Sequence, residues 1–479
     1  MSDRPNVLWL VADHLIHANH GPAIGRLPLQ AHLAKRGAQF TRAYTPLPIC
    51  SPARASMLTG LYPHAHGLSE NDGRFGGRAG LDQGDWLIQH AFQDQGYRCA
   101  WFGKWHLDNA ADAGAYGFAG WSPPGYGYPY SSDAYADCLQ RRQLTRPVAE
   151  IEIPGESGLA RGTKIDLCDA PDWFDFEAGT AIFHGVEQCH EAWFLADLAA
   201  NWLTQHGAEP FFMRVDPWGP HPPYIVDSRA AAAGFPSGLT LSPNCHFDLT
   251  GRPEHHRDYR DEWRDLLGHG PQEWRHMMGR AYQQAAIVER ALLHVVQALE
   301  RLGLSGNTII IYTADHGDAV GSNGGVCNKG GLMVEETMRV PLCIAGPGMA
   351  AGVSTNALVS TLDLVPTLAQ SCGLTTSQDF HGEDLNPILR GKTQSVRDGL
   401  MAQHNGLHTH LPQRAYYQEQ WKYVVQQDGF EELYNLAEDP AEMRNLVNNS
   451  QYSATRDGMR INLQHSLDKA DDNFAAIPE

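Results

Sequence analysis

The sequence predicts an α/β fold: a large, mostly parallel sheet covered on both faces, followed by a smaller antiparallel C-terminal sheet with a helix. Two observations predict it. Short apolar strands alternate with helical stretches as far as about residue 395, the signature of parallel strands joined by crossover helices. Beyond that point the pattern changes to closely spaced short strands and then a polar helix.

Taken in order, Asn6–Val11 is an apolar run of β-formers ending at Ala12-Asp13, and reads as a fully buried strand. Leu29–Arg36 is a short helix stopped by Gly37. Ser51 is a good N-cap with Pro52 as the first helical residue, and Gly60 closes the far end, so Cys50 lies just ahead of a helix N-terminus. Ala100-Trp101-Phe102 is a strand running into Gly103-Lys104. Residues 108–190 are rich in Gly, Pro, Tyr and Asp and read as a long irregular insertion on the substrate side. Phe211–Val215 is a strand before Asp216-Pro217. Residues 281–302 form an amphipathic helix, and Thr308–Thr313 is a strand leading to Asp315-His316. Val340–Ile344 is another strand, and Asp363 opens a helix. Trp421–Val425 and Glu432–Leu436 pair as antiparallel strands. The expected division is 1–395 for the large unit and 396–479 for the small one.

At 479 residues the chain exceeds one ordinary compact core. Lys+Arg is 36 and Asp+Glu 55, giving 36 − 55 = −19, a balance that repels nucleic acid and anionic lipid. An anionic substrate would therefore need a local cluster of positive groups. The first apolar run has about five residues, short of a secretory core of roughly 7–15, and no stretch reaches the roughly 18 of a membrane span. The expected location is the cytoplasm, with no membrane partner. Nine cysteines, an odd number with no Cys-x-x-Cys pair, exclude a disulfide framework and a zinc-finger pattern. Only Cys50 has a context that suggests chemistry.

In parallel α/β sheets the functional residues gather at the carboxyl ends of the strands. Asp13 with His14, Lys104 with His106, and Asp315 with His316 all fall there. Carboxylates and an imidazole arriving from two strands make a divalent-metal site. Cys50 at a helix N-terminus adds a nucleophile where backbone N–H groups favour negative charge. Singly, each residue has an ordinary structural reading, as a turn residue, a packed thiol or a core histidine. Their coincidence points to chemistry.

Cys50-Ser51-Pro52-Ala53-Arg54 matches the sulfatase signature Cys-x-Pro-x-Arg, and Ala55–Gly60 its usual continuation. Further blocks follow in the family's order: Pro5–Asp13, Gly103–Leu107, Pro220–Tyr224, Asp315–Asp318 with Asn328-Lys329-Gly330 and Glu335–Pro341, then Glu432–Leu436 with Asp439-Pro440 and Glu442. The chain thus resembles the sulfatases of the alkaline phosphatase superfamily, arylsulfatases and phosphonate monoester hydrolases among them. That resemblance implies an alkaline-phosphatase-like α/β sandwich with a smaller C-terminal antiparallel domain.

It also implies that a formylglycine-generating enzyme or an equivalent oxidises Cys50 to Cα-formylglycine. The aldehyde hydrates to a geminal diol. One hydroxyl attacks sulfur, and loss of the second hydroxyl's proton expels sulfate and restores the aldehyde. By the same carry-over, Asp13, Asp315, His316 and the side chain at position 50 hold one divalent ion, with His14 a further candidate. Arg54 holds the diol or a sulfate oxygen. Lys104, His221 and Lys329 clamp the sulfate, His106 breaks the hemiacetal, and His221 or Lys329 protonates the leaving alkoxide. Asn71 resembles a ligand-contacting Asn of phosphonate monoester hydrolases.

One departure matters. Many sulfatases carry Asp-Asp where this chain has Asp13-His14, which lowers the site's negative charge and brings Mn²⁺ and Zn²⁺ into contention beside Ca²⁺. Phosphonate monoester hydrolases lack the second Asp too, whereas Gly103–Leu107 looks more like sulfatases. The expected function is hydrolysis of aryl or alkyl sulfate monoesters. The alternative is phosphonate monoester or phosphodiester hydrolysis with the same nucleophile. The 108–190 insertion would shape the alcohol subsite, and a homo-oligomer is a candidate assembly state.

Overall fold

A computed structural model of the chain describes residues 4–16, 27–155, 159–170, 179–236, 238–407 and 409–475. An eight-stranded sheet runs through the centre. In spatial order its strands are Val353–Ser360, Ala38–Tyr44, Arg339–Ala345, Thr308–Ala314, Asn6–Ala12, Phe211–Asp216, Arg98–Gly103 and Ala119–Trp121. Every pairing is parallel except the two made by Arg339–Ala345, which runs against both neighbours. Asn6–Ala12 and Thr308–Ala314 lie side by side at the middle and are buried along their whole length. That explains why they read as continuous apolar runs rather than alternating ones. Among the described residues no helix is long and apolar enough to cross a membrane.

Several expectations are corrected. The helix expected at 281–302 begins ten residues earlier and spans Pro271–Arg301; polar residues dominate its first turns and mask the amphipathic period. The 108–190 insertion is largely regular where it is described. Ala119–Trp121 joins the central sheet, Asp133–Arg142 is a helix, and Val148–Ile153, Lys164–Asp166 and Thr180–His184 form a second sheet with Tyr224–Asp227. Residues 156–158 and 171–178 of the insertion lie outside the described residues. Ala119–Trp121 and Lys164–Asp166 are only three residues long and carry no buried residue, so little periodicity marks them, whereas Val148–Ile153 alternates in burial as a half-buried strand should. The C-terminal sheet has four strands rather than two: Gly399–His404, Gln413–Gln418, Trp421–Gln426 and Glu431–Asn435, an antiparallel meander. The Ser453–Lys469 helix packs Met459, Leu463 and Leu467 into the core beside it.

A buried carboxylate ties the long helix to a short one. Glu289 accepts hydrogen bonds from the backbone N–H groups of Leu29 at 2.8 Å and Gln30 at 3.2 Å, and from Gln30 Nε2 at 2.7 Å. It therefore caps the Pro28–Leu33 helix, whose own N-cap residue Leu27 offers no side-chain acceptor. Burial pushes its carboxyl from 4.5 up to about 7. The folded chain thus holds this proton more tightly than the unfolded chain. The resulting stabilisation is fully present below pH 4.5 and is lost as pH rises through 7, about 3 kcal/mol at most. Urea unfolding at pH 5 and pH 8 should show that loss in the native chain and less of it in Glu289→Gln; equal pH slopes would contradict the assignment.

Candidate active site and metal centre

Strand register builds the site. Ala12 pairs with Ala314 across neighbouring parallel strands, so the next residues, Asp13 and Asp315, emerge side by side. On the other flank Gly103 pairs with Asp216, and the Lys104 amide donates to the Asp216 carbonyl at 2.8 Å. The Cys50–Thr59 helix brings its first residue to the same edge. Ligand atoms of Asp13, Cys50, Asp315 and His316 all lie within 4.8 Å of one another, and all four residues are buried.

Cys50 is the first residue inside this helix, not the residue before it, and Ile49 takes the N-cap position. The expected cap, Ser51, turns its hydroxyl to the His106 carbonyl at 2.6 Å. Asn71 Oδ1 accepts the Ser51 amide at 3.0 Å instead. Capping is thus supplied from a distant loop, which a local motif cannot show. Asn71, which the resemblance implies as a ligand contact, thus engages the Cys50–Thr59 helix through its carbonyl oxygen. Gly60 closes the helix with φ 71°, as expected.

The four clustered residues carry mismatched charge. Burial, then repulsion from Asp315, raises the Asp13 carboxyl to about 8. Burial works against ionisation of Asp315 too, but His316 and Arg54 overrule it and hold that carboxyl below its ordinary range. Burial opposes the Cys50 thiolate, yet Lys104, Lys329 and His316 hold the thiol well below its ordinary value. Asp13 Oδ1 is buried with no hydrogen-bond partner. His316 donates from Nδ1 to the Gly317 carbonyl at 2.9 Å, which turns Nε2 toward Cys50 Sγ, 3.2 Å away; against burial, Asp315 and Cys50 favour a proton on that nitrogen, which a cation would displace. An orphaned carboxylate oxygen, a second carboxylate, an oriented imidazole nitrogen and the side chain at position 50 suit a divalent cation, which would relieve the repulsion between the acids.

Arg54 engages these acids rather than lying open to a substrate. Its Nε donates to Asp315 Oδ2 at 2.9 Å, and its Nη1 to Asp216 Oδ2 at 2.9 Å and to the Lys104 carbonyl at 3.2 Å. Nη2, 3.7 Å from Asp13 Oδ1, has no hydrogen-bond partner and is the one guanidinium nitrogen left for the diol or sulfate. Asp216 in turn takes Arg214, whose guanidinium lies between the rings of Trp9 and Trp101, 4.6 and 4.2 Å from their centroids. Asp216 and Arg214 were not singled out from the sequence. Asp216 follows an apolar strand just as Asp13 does, and that signal could have found it.

The remaining candidates ring this cluster. Lys104 Nζ donates to Asp13 Oδ2 at 2.5 Å and lies 4.2 Å above the Tyr126 ring. The edges of His106 and His221 meet the same ring, at 5.2 and 5.7 Å between centroids. Tyr126 lies in the 108–190 insertion, as expected of a residue shaping this pocket. Burial and then Lys104 push the His106 imidazole down to about 4. His221 donates from Nδ1 to the Pro222 carbonyl at 2.7 Å, so its neutral form carries no proton on Nε2. Lys329 is buried, on a turn where Asn328 has φ 66° and Gly330 φ 49°. Asp318 anchors that turn by accepting the Asn328 amide at 3.1 Å. His14 packs its ring 4.7 Å from His221 and 4.8 Å from His316, with Nε2 3.5 Å from Asp318, but it lies outside the four-residue cluster.

Comparisons with known proteins agree with this geometry. The family model described as Sulfatase matches residues 5–374, and that described as N-sulphoglucosamine sulphohydrolase, C-terminal matches residues 325–469. The uncharacterized sulfatase YidJ of Escherichia coli (strain K12) is 26% identical over 479 residues, 98% of this chain and 88% of that one. Arylsulfatase K of Homo sapiens is 25% identical over 475 residues, 92% of this chain and 79% of that one. Among solved structures, phosphonate monoester hydrolase of Agrobacterium radiobacter shares the fold with TM-score 0.75 and 24% identity, covering 98% of this chain and 96% of that one. Sulfatases in general use a divalent metal and a formylglycine. The chain belongs to the sulfatase family and is a sulfuric ester hydrolase.

Proposed function

We propose that this enzyme hydrolyses aryl or alkyl sulfate monoesters with a formylglycine made from Cys50, beside a divalent cation held by Asp13, Asp315, His316 and the side chain at position 50. The convergence of those four residues within 4.8 Å, ringed by Lys104, His106, His221 and Lys329, carries the reading. A bound cation supplies Lewis acidity and offsets the charge of sulfate. Hydrated formylglycine supplies one hydroxyl as nucleophile and a second whose deprotonation releases sulfate.

The chain's own residues divide the remaining work. Lys104 and Lys329 hold the sulfate oxygens by charge. Lys104 is pinned by Asp13, and so its ammonium is oriented before substrate arrives. His106, whose Nδ1 has no partner within hydrogen-bond geometry, takes the proton of the position-50 side chain. The His221 tautomer favours Lys329 as donor to the leaving alkoxide, with His221 accepting at Nε2. Arg54 keeps Asp315 and Asp216 in place. The donor set of two carboxylates and one imidazole nitrogen suits Mn²⁺ or Zn²⁺ as well as Ca²⁺.

Kinetics with an aryl sulfate and the matching aryl phosphonate test the substrate order. The sulfate should show the larger kcat/KM, and a much larger value for the phosphonate reverses the order. Dialysis against a chelator should abolish both activities and lower Tm, and adding back one divalent ion should restore them. Activity that survives chelation removes the cation from the mechanism.

A further inference from the structure

Lys329 sits on a turn held from outside the catalytic sheet. The Gly331 carbonyl accepts two hydrogen bonds, from Gln413 Nε2 at 2.9 Å and from His255 Nε2 at 3.2 Å. Gln426 Nε2 donates to the other nitrogen of His255 at 3.4 Å, which is the tautomer that lets His255 donate to Gly331. Gln413 and Gln426 face each other across neighbouring strands of the C-terminal sheet, and His404 faces Gln413 on its other side. These three polar side chains thus form a cross-strand row, each no more than 1% exposed. His404 accepts the Gly406 amide on Nδ1 at 2.8 Å, so its proton lies on Nε2, which has no hydrogen-bond partner. On the far side of the turn, Tyr259 donates to the Cys327 carbonyl at 2.8 Å, and its ring lies where a side chain on Gly330 would have to go.

Buried amides cost desolvation energy unless they are bonded, and apolar residues could fill a strand interior without that cost. Here the amide nitrogens of Gln413 and Gln426 converge on the Gly331 carbonyl, two residues after Lys329, Gln413 directly and Gln426 through His255. We propose that Gln413 and Gln426, with His255 as the link between Gln426 and the turn, are positioning residues for Lys329. They fix the backbone from which its ammonium reaches the sulfate oxygens, so the C-terminal sheet sets the affinity of the sulfate subsite without touching substrate. The inference rests on the reading of Lys329 as a sulfate clamp.

A double-mutant cycle in the full-length, metal-loaded enzyme tests it, with inorganic sulfate as the probe (Ki against an aryl sulfate) and kcat/KM for that ester alongside. Gln413→Leu should weaken sulfate about tenfold, and Gln426→Leu, which acts only through His255, about threefold. In a Lys329→Ala background neither variant should weaken it further. A general loss of packing would instead lower affinity equally in both backgrounds, and that result overturns the proposal, as does unchanged affinity in the native background. Should Gln413→Leu fail to fold, Gln426→Leu and His255→Leu run the same cycle. A native enzyme that neither binds sulfate nor cleaves the ester would instead count against the sulfatase mechanism itself.

Discussion

Cys50→Ala is expected to abolish turnover, lowering kcat by about 10⁴ or more, while leaving the fold intact. Alanine is a strong helix former, and position 50 is the first residue of the Cys50–Thr59 helix. Its sulfur lies 3.2 Å from His316 Nε2 and also bonds the His106 side chain, and against burial Lys104, Lys329 and His316 favour its thiolate form. Removing it gives up the attraction of Lys104, Lys329 and His316 together with the repulsion from Asp13 and Asp315, and opens a space of one atom, so the unfolding midpoint should move by no more than about 1 kcal/mol equivalent. In the active enzyme, the peptide containing residue 50 should be lighter than its cysteine form by about 18 Da, the signature of conversion to formylglycine. Circular dichroism, urea unfolding and an aryl sulfate assay on one preparation decide the matter. Retained activity would remove position 50 from the chemistry.

The largest stability effect should come from Arg54. Its guanidinium is fully buried and bonds Asp315, Asp216 and the Lys104 carbonyl, with Asp13 close by. Burial opposes its charge, but Asp315, Asp13 and Asp216 more than offset that cost. In Arg54→Met three buried carboxylates remain with one cation fewer. Leaving such charges uncompensated costs about 3–5 kcal/mol, and Arg214 can relieve only Asp216. Arg54→Lys restores a charge but not a fork able to bond two acids at once, and should fall between the two. Urea titrations read the difference, and a loss below about 1 kcal/mol for Arg54→Met would mean that the acids do not need this cation. Because the same acids face the metal centre, added divalent ion should recover part of the lost stability.

The metal centre was legible from sequence because each part carries a local mark. Asp13, Asp315 and His316 follow two apolar strands buried along their whole length, and Cys50 opens a signature of fixed spacing. The candidates Lys104, His106, His221 and Lys329 were legible through the family blocks around them, and the structure brings them around one cluster. The role of Arg54 was only partly legible. Its place one turn after Cys50 showed that the two share a helix face, but its partners come from strands remote in the chain. Asn71 and Ser51 show the same limit: a helix end that looks self-capped is capped by a side chain from another loop, while the apparent cap bonds the backbone at His106.

By itself, the sequence determined which elements line the sheet centre and which residues stand at their carboxyl ends, because burial on both faces forces an apolar run and the polar residue that ends it is conspicuous. It also singled out Cys50 as the candidate nucleophile and indicated the chemistry that its oxidised form can perform. Only the tertiary structure decided which acids meet at the candidate cation site, which ring nitrogens of His221, His255, His316 and His404 face carbonyls or amides, and how the C-terminal sheet reaches the Lys329 turn. Those features depend on strand register and on hydrogen bonds between residues tens to hundreds of positions apart, and no local pattern of residue types encodes such pairings.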